Sequence, residues 1–496
     1  MYTIGIDLGT SSVKLLLVRD DGTTVRETSA EYPLYFPKTG WSEQNPADWW
    51  AAVRKCLKEI TADIEPEMIR GIGTAGQMHG LVVLDENDNV IRPCILWNDG
   101  RTSAETAYLN DVTGREFLYE HTGNIAFAGF TAPKILWMKN NEPELFARIR
   151  KIMLPKDYIN YMLTGVWACD YSDASGMLLL DVEHKCWSDE MIRICGISRD
   201  MLPDLYESWQ KIGTVKKEIA GELGLSADTV VCAGAGDNAA AAIGTGTVKS
   251  TDGAVRCNIS LGTSGTVFVS NPKYEKSGSF GIHSFAHADG AWHLMGCMLS
   301  AASCNKWWQD EILHDTDYSR AQALISPEAL GRNHVYFLPY LMGERSPIND
   351  TDARGMFVGL SMDTTREEMT LAVLEGVAFG IRDSIETAGK AGIRISRSMI
   401  CGGGSKSPLW RKIFANVLGI PLDLPETEQG PGYGGAMLAM VCAGIFPDVE
   451  TVCGRFVHVK DTVQPDPELT ALYEERYRKF SAVYPACREL FQKLKD

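Results

Sequence analysis

Gly5-Ile6-Asp7-Leu8-Gly9-Thr10-Ser11-Ser12, near the start of the chain, recurs in similar form about half the chain later as Ser260-Leu261-Gly262-Thr263-Ser264-Gly265. Each copy stands between two apolar runs rich in β-branched residues. That pattern is typical of a β-hairpin closed by a turn of small residues. A repeat at half-chain spacing with matching flanks indicates two homologous α/β halves.

The first copy combines a carboxylate with a turn of small residues. Asp7 ends a predicted strand, and Gly9, Thr10 and Ser11 then offer backbone amides and hydroxyl groups. Such a turn can cradle phosphate oxygens, while the carboxylate holds a magnesium ion directly or through water. For one copy alone an ordinary hairpin turn is an equally good interpretation. The second turn, at Gly262 and Thr263, makes the pair indicate a clamp on the phosphates of a nucleotide.

Asp237 follows a third glycine-rich segment. The β-branched run from Thr229 to Ala233 leads to Gly234-Ala235-Gly236, and Asp237-Asn238 then opens an alanine-rich helix. The dipole and free amides of a helix start favour the charged form of a carboxylate, so Asp237 is a candidate general base for a hydroxyl nucleophile. The alternative is a plain N-cap. The preceding glycines favour the base, because a substrate can approach their backbone closely.

Two further clusters of hydrogen-bonding residues follow predicted strands. Gln77-Met78-His79-Gly80 comes after an apolar run, and Trp97-Asn98-Asp99-Gly100-Arg101 comes after another. Ligands of open α/β sheets bind at strand ends, which makes both clusters candidate substrate contacts. Core packing for Met78 and His79, and a polar turn for the second cluster, are the alternatives.

The second half contains a strand, a glycine turn and a helix in succession. Met399 to Cys401 is the predicted strand, Gly402, Gly403 and Gly404 form the turn, and Ser407-Pro408 opens a helix that stops at Gly419. This succession is typical of a nucleotide site.

The segment from Gly244 to Gly253 is rich in Gly, Thr and Ser and is the predicted boundary between domains 1–248 and 249–496. The nearly uncharged run from Gly434 to Phe446 is shorter than the roughly 20 residues of a membrane-spanning helix. We therefore predict a core helix there.

Composition narrows the function classes. The 496 residues are 45% hydrophobic and 23% charged, as in globular proteins, and the net charge of −16 disfavours nucleic acid and anionic membranes as partners. Thirteen scattered cysteines predict free thiols in a reducing cytoplasm. The sequence lacks the ligand spacing of a zinc site, a G-x-S-x-G elbow, a Walker motif and a Rossmann fingerprint.

In order and spacing these motifs resemble the FGGY carbohydrate kinases, nearly from end to end. The resemblance rests on the following stretches: Gly5 to Lys14, Gly76 to Gly80, Trp97 to Thr102, Thr131-Ala132-Pro133-Lys134-Ile135-Leu136-Trp137, Gly236 to Asn238, Ser260 to Gly265, Phe337 to Leu341, Gly343 to Arg345, Gly355 to Leu360, Leu374 to Gly376 and Gly402 to Ser405. The family's fold would be two homologous actin-like ATPase (ribonuclease H-like) α/β domains with an interdomain cleft.

The resemblance also implies roles for particular residues. ATP and Mg²⁺ are the expected cofactors, and the turns of both halves are their expected contacts. By this similarity Asp237 is the catalytic base, Asp7 and Asp237 lie at the metal, and Met78, His79, Asp237 and Asn238 contact the sugar. Gly402, Gly403 and Gly404 match the adenosine side of the site. No role is implied for Lys156 or Arg345, and Arg101 stays open.

D-xylulose is the expected acceptor, giving D-xylulose 5-phosphate in pentose catabolism in the cytoplasm. Gluconate, ribulose, erythritol or glycerol are the alternative acceptors. An actin-like or chaperone-type ATPase is a distant alternative. A chaperone of that type would need a peptide-binding domain after the second half, and we expect none. Whether the chain forms a homodimer is left open.

Overall fold

The computed structural model describes residues 1–250, 254–276, 278–426 and 430–494. The chain divides into two compact units. The first comprises Met1–Lys249, Ser284–His293 and Gln429–Val457, and the second comprises Ser250–His283, Leu294–Glu428 and His458–Asp496. The predicted boundary segment ends in residues 251–253, which lie outside the described residues. The predicted assignment of sugar and adenosine sites to residues 1–248 and 249–496 stays a prediction.

A mixed sheet forms the centre of the first unit. Its strands, in spatial order, are Lys211–Thr214, Val230–Cys232, Ile69–Gly76, Tyr2–Leu8, Ser12–Arg19 and Thr24–Glu31, and Ala235–Gly236 also pairs with Ile69–Gly76. Ile69–Gly76 runs parallel to Tyr2–Leu8, Val230–Cys232 and Ala235–Gly236. The carboxyl ends of these strands therefore meet at one edge.

A second mixed sheet repeats part of this arrangement. Its strands, in spatial order, are His283–Ala286, Trp292–Met298, Gly265–Asn271, Arg256–Leu261, Ser398–Cys401, Leu422–Pro425 and Val459–Val463. Short strand pairs complete the β structure: Glu43–Gln44 with Cys94–Ile95, Val82–Leu84 with Lys151–Met153, Ala168–Asp170 with Asp204–Tyr206, Leu180–Asp181 with Cys186–Trp187, and Tyr336–Leu338 with Met356–Val358.

Both predicted hairpins are present, and each continues in the same way. Tyr2–Leu8 pairs antiparallel with Ser12–Arg19 and parallel with Ile69–Gly76. Arg256–Leu261 likewise pairs antiparallel with Gly265–Asn271 and parallel with Ser398–Cys401. The sequence repeat thus corresponds to a repeated three-strand arrangement, which supports two homologous halves.

Helices flank the strands of each unit. The α-helices are Pro46–Ile60, Ser103–Ala107, Arg115–Thr122, Thr131–Asn141, Pro143–Phe146, Pro155–Thr164, Tyr171–Ala174, Asp189–Cys195, Lys217–Ala220, Asp237–Gly244, Ala302–Trp307, Tyr318–Ala323, Arg366–Lys390, Pro408–Leu418, Pro431–Cys442, Val449–Phe456 and Pro467–Lys493. In Pro408–Leu418 the Ser407 hydroxyl caps the Trp410 amide at 3.0 Å, and Gly419 ends the helix at a φ of +66°, as predicted. Within the described residues, none of the helices has the length and apolarity needed to cross a bilayer.

The predicted core helix of the second half is present as Pro431–Cys442, and it packs into the core of the first unit. It begins before the uncharged run and ends before Phe446. A Cβ atom at Gly5 would lie 1.7 Å from the carbonyl oxygen of Gly432, and one at Gly73 would lie 2.0 Å from that of Gly435. The sheet and the helix therefore approach so closely that only glycine fits at these strand positions.

Candidate active site

Asp7 and Asp237 lie at the same edge of the first sheet. In the strand register Ala75 faces Asp7 on one side and Ala235 on the other. Asp237 follows two residues after Ala235 as the first residue of its helix. Since neighbouring strands lie about 4.8 Å apart, the two carboxylates stand across one intervening strand end. Sequence predicted both residues, and the structure brings them to one edge.

Burial makes this edge unfavourable for negative charge. It raises the pKa of Asp7 to about 7, the charge of Asp237 adds to that rise, and Lys14 lowers it in part. Burial likewise raises the pKa of Asp237 to about 6, against two hydrogen bonds from Asn238 that lower it. A cation placed between the carboxylates would therefore be attracted.

Within the described part of the chain, the hydrogen bonds to the Asp237 side chain reach one of its two oxygens. The backbone N–H and the side-chain Nδ2 of Asn238 both donate to Oδ1, at 2.7 and 2.9 Å. Among the described residues no donor reaches Oδ2. Gly236 occupies the N-cap position, so Asp237 is not the N-cap that the alternative interpretation required.

The turn after Asp7 is held by side chains from several parts of the chain. The carbonyl oxygen of Gly9 accepts hydrogen bonds from the Tyr32 hydroxyl at 2.5 Å and from Gln77 Nε2 at 3.2 Å. The carbonyl oxygen of Thr10 accepts one from Gln44 Nε2 at 2.6 Å. These donors satisfy the carbonyl oxygens, which would otherwise repel a phosphate.

Sequence reasoning missed Tyr32 and Gln44, because nothing in their local sequence points to the turn. It did single out Gln77 and Trp97, but as substrate contacts. The Trp97 indole N–H donates to the Thr10 hydroxyl at 3.0 Å, although the residue is 42% exposed. Its side chain therefore ties the cluster that follows Leu96 to the turn.

Met78 and His79 lie beside the segment that carries Asp237. Met78 is buried, and an added Cβ at Gly236 would meet its side chain at 3.0 Å. His79 has a φ of +70°, its ring stacks on Phe130 with centroids 4.7 Å apart, and its Nδ1 lies 2.8 Å from the carbonyl oxygen of Gly176. Their roles as sugar contacts, like that of Asn238, stay predictions.

Lys134 supports the unusual backbone at His79. Its side chain is fully buried, and Nζ donates to the carbonyl oxygens of His79 at 2.8 Å and Gly129 at 2.7 Å. Burial lowers the pKa of Lys134 to about 7. Two carbonyl acceptors suit a neutral amine, which keeps two N–H donors.

Replacing Lys134 with methionine should change how stability depends on pH. Between pH 7 and 10 the folded wild-type protein binds fewer protons at this residue than the unfolded chain, whose lysines titrate near about 10.4. The free energy of unfolding of the wild type should therefore rise relative to Lys134→Met as the pH increases from 7 to 10. Thermal unfolding at several pH values measures this, with Lys139→Met, at an exposed position, as the control. A difference in free energy of unfolding between the wild type and Lys134→Met that stays the same from pH 7 to 10 would contradict the lowered pKa of Lys134.

Arg101, whose role was open, is engaged in the protein interior. Its guanidinium makes a bidentate contact with Asp99, at 2.8 and 2.7 Å, and pairs with Glu43 at 2.7 Å. It also lies 3.7 Å from the ring centroid of Trp41. These contacts connect the turn after Leu96 to Glu43 and Trp41.

In the second unit the carbonyl oxygens of the turn at Gly262 and Thr263 are also hydrogen-bonded, here by residues 301–303 and mainly through backbone amides. The carbonyl oxygen of Gly262 accepts from the Ala302 amide at 2.9 Å. That of Thr263 accepts from the Ala301 amide at 3.0 Å and the Ser303 hydroxyl at 2.8 Å. Both turns therefore direct their carbonyl oxygens toward protein donors.

The glycines after Cys401 lie beside this turn, because Ser398–Cys401 is the parallel neighbour of Arg256–Leu261. Gly402 has a φ of +90°, and a Cβ there would lie 2.8 Å from the Leu261 backbone. A Cβ at Gly404 would lie 3.0 Å from Leu261 and Trp410, whereas none of the described atoms lies within 4 Å of one at Gly403. Gly402 and Gly404 are thus required by packing, and Gly403 leaves room for a ligand.

Models of a known protein family match both halves of the chain. Residues 2–244 match the N-terminal domain model of the FGGY family of carbohydrate kinases, and residues 257–443 match its C-terminal domain model. A xylulose kinase of Lactococcus lactis is 39% identical over 499 residues, covering 99% of this chain and 98% of that protein.

Solved structures show the same fold over the whole chain. A "xyloylose kinase" from Brucella ovis has a TM-score of 0.93 and 42% identity, covering 99% of this chain and 100% of that one. A gluconate kinase from Lactobacillus acidophilus has a TM-score of 0.92 and 28% identity, covering 100% and 99%. The predicted class, two α/β domains of the actin-like ATPase type, is confirmed. The chain therefore belongs to the FGGY family of carbohydrate kinases, and it is an ATP-dependent sugar kinase.

Proposed function

We propose that this kinase transfers the γ-phosphoryl group of ATP to D-xylulose, giving D-xylulose 5-phosphate and ADP in pentose catabolism. The observation that supports the chemistry best is Asp237, whose Oδ1 is fixed by Asn238 while no described donor reaches Oδ2. A base needs one oxygen held for orientation and the other available for the proton.

The proposed step moves one proton and exchanges one bond. Asp237 Oδ2 takes the proton of the acceptor hydroxyl as that oxygen forms its bond to the γ-phosphorus. The bond between the γ-phosphorus and the β,γ-bridging oxygen breaks, and ADP leaves with the electron pair. Because phosphoryl transfer needs little covalent help, positioning of the hydroxyl supplies much of the acceleration.

The carboxylates at the sheet edge fit a magnesium ion. Mg²⁺ is usually held by one or two carboxylates together with substrate phosphates and water, and Asp7 would be one of them. Asp237 would act on the ion through water, because its Oδ1 is held by Asn238 and its Oδ2 serves as the base. No group of three or more metal-ligating side chains occurs in the described part of the chain. Bound there, Mg²⁺ would neutralise charge on the phosphates.

The two turns and the glycine segment are the proposed nucleotide contacts. Gly9, Thr10 and Ser11, and Gly262 and Thr263 in the second unit, would donate backbone amides to phosphate oxygens. The satisfied carbonyl oxygens of both turns support this proposal. Gly402, Gly403 and Gly404 would lie along the adenosine, with Gly403 allowing the closest approach.

Met78, His79, Asp237 and Asn238 are the proposed sugar contacts. Two basic side chains of the neighbouring motifs, Arg101 and Lys134, are engaged within the protein, which disfavours gluconate as the acceptor. Arg101 is occupied by Asp99 and Glu43, and Lys134 is buried against two carbonyl oxygens. Neither is available to pair with the carboxylate of gluconate, whereas D-xylulose carries no charge. The name of the 39% identical relative points to the same acceptor.

A coupled assay of ADP release across D-xylulose, L-xylulose, D-ribulose, L-ribulose, gluconate, erythritol and glycerol tests the proposal. We expect D-xylulose to give the highest kcat/KM, by about tenfold or more over an epimer, because a hydroxyl that the site cannot pair is costly. A higher kcat/KM for gluconate or ribulose would leave a sugar kinase with a different acceptor.

The cysteines support a cytoplasmic location for this reaction. Free, buried thiols occur in both units, for example Cys56, Cys94, Cys169, Cys257 and Cys304. Free thiols persist in a reducing compartment.

A further inference from the structure

A buried network of charges lies behind the segment that carries Asp237. Lys156 is fully buried, and its Nζ lies 2.7 Å from Asp157 Oδ1, 3.0 Å from Asp170 Oδ1 and 3.9 Å from Asp173 Oδ2. These three aspartates are buried as well. Burying such a cluster costs several kcal/mol of desolvation free energy per ion, roughly, which good packing alone does not require.

A continuous chain of polar contacts leads from this cluster to the start of the helix of Asp237. Asp170 Oδ2 accepts from the Ser172 hydroxyl at 2.5 Å, and the same hydroxyl oxygen accepts from the Gly236 backbone N–H at 3.2 Å. Gly236 directly precedes Asp237 and is the N-cap of its helix. A hydroxyl that donates to a carboxylate becomes a better acceptor, so the contacts strengthen one another.

The cluster also holds the strand before this segment. Lys156 Nζ donates to the carbonyl oxygen of Ala233 at 3.1 Å, and Asn160 Nδ2 donates to the same oxygen at 2.9 Å. Asn160 in turn accepts from the Thr74 hydroxyl at 2.9 Å. The backbone from Ala233 to Gly236 is therefore held by helix Pro155–Thr164 and by the residues around Ser172.

Gly236 also lies close to the Met78 side chain. A Cβ at Gly236 would meet that side chain at 3.0 Å. The N-cap residue is therefore bound through its backbone N–H to Ser172 and packs beside Met78.

We propose that Lys156, Asp170 and Ser172 are positioning residues for catalysis, which hold the Gly236 backbone so that Asp237 meets the acceptor hydroxyl in line with ATP. The proposal rests on the proposed role of Asp237 as the base. It assigns a function to Lys156, for which the family resemblance implies none.

Ser172→Ala and Ser208→Ala form a matched pair of variants. The Ser208 hydroxyl also donates to Asp170 Oδ2, at 2.8 Å, and is equally buried, but it has no bond to Gly236. Both variants remove one hydrogen bond to the same carboxylate oxygen, and Ser172→Ala also leaves the Gly236 N–H without its acceptor. We therefore expect both variants to lose Tm, and Ser172→Ala to lose more.

Only Ser172→Ala should impair the chemical step. Displacement of a catalytic group by a fraction of an ångström is costly, so we expect kcat to fall about tenfold or more relative to Ser208→Ala, with the KM for ATP unchanged. Steady-state kinetics with saturating sugar measures this. Values of kcat within about threefold of each other, or a loss confined to KM, would overturn the proposal.

A second pair covers the case in which the alanine variants fail to fold. Ser172→Cys and Ser208→Cys fill the same space with a much weaker hydrogen-bonding group, and the same difference in kcat is expected. A separate variant shows whether Asp237 is the base at all. If it is not, Asp237→Asn keeps a near-normal kcat, whatever the kcat values of the serine variants.

Discussion

Replacing Asp237 with asparagine should lower kcat for sugar phosphorylation by about 10² to 10⁴, the usual contribution of a general base. Asparagine keeps an oxygen that can accept the two hydrogen bonds from Asn238, but it cannot take up the proton of the acceptor hydroxyl. Nucleotide affinity should change little, since the base meets the acceptor rather than the adenine. ADP release and calorimetric ATP titration measure the two quantities.

Stability provides the first control for this variant. Because burial raises the pKa of Asp237 to about 6, the folded protein disfavours the charged form at neutral pH. A neutral amide at this position should therefore leave Tm unchanged or raise it, so lost activity would not reflect unfolding. A variant with near-normal kcat would show that Asp237 has no catalytic role.

Asp7→Asn is the contrasting variant. It retains the base and removes one of the two carboxylates proposed to hold the metal. We expect higher Mg²⁺ concentrations to restore part of the activity of Asp7→Asn and none of that of Asp237→Asn. Equal responses to Mg²⁺ would contradict the separate roles.

Lys156→Met should lower the free energy of unfolding by about 3 to 5 kcal/mol, because it leaves buried carboxylates without their cation. Although burial works against it, the charges of Asp157 and Asp170 raise the pKa of Lys156 well above its usual range. Lys156 therefore keeps its positive charge in the folded protein. Denaturant unfolding compares the variant with the wild type.

Lys306→Met is the control, since the Lys306 side chain is 71% exposed and pairs with Asp310 one helical turn away. Such a surface pair contributes about 0 to 1 kcal/mol. The difference in free energy of unfolding between the wild type and Lys156→Met should also become smaller as the pH is lowered from 8 to 5. Carboxyls that lose their cation bind protons in the folded state, so their pKa exceeds that of the unfolded chain and lower pH favours folding. A loss no larger than that of Lys306→Met would mean that the network carries little stability.

Local features of the sequence were sufficient for much of the fold. The hairpins around Gly9 and Gly262 and the helix start at Pro408 were predicted, since small-residue turns and caps act over a few residues. Asp237 could be singled out for the same reason, as the carboxylate that follows two glycines at a helix start. The proposal of a catalytic base came from that local context.

Contacts between distant segments could not be predicted in this way. Tyr32 and Gln44 hold the turn at Gly9 and Thr10, and Ser172 holds Gly236 from 64 residues earlier in the chain. A serine or glutamine has no sequence pattern that reveals its partner, because a single hydrogen bond imposes no periodicity on the chain.

The sequence by itself determined the repeated hairpins, the glycine turns and the residues that could serve as base and metal ligand, because backbone conformation and hydrophobic periodicity are local properties. Only the tertiary structure decided that Asp7 and Asp237 share one sheet edge, that Arg101 is engaged by Asp99 and Glu43, and that helix Pro431–Cys442 packs in the first unit. Those outcomes depend on burial and close approach between segments far apart in sequence. Such approaches set the pKa values and hydrogen bonds on which the chemistry depends.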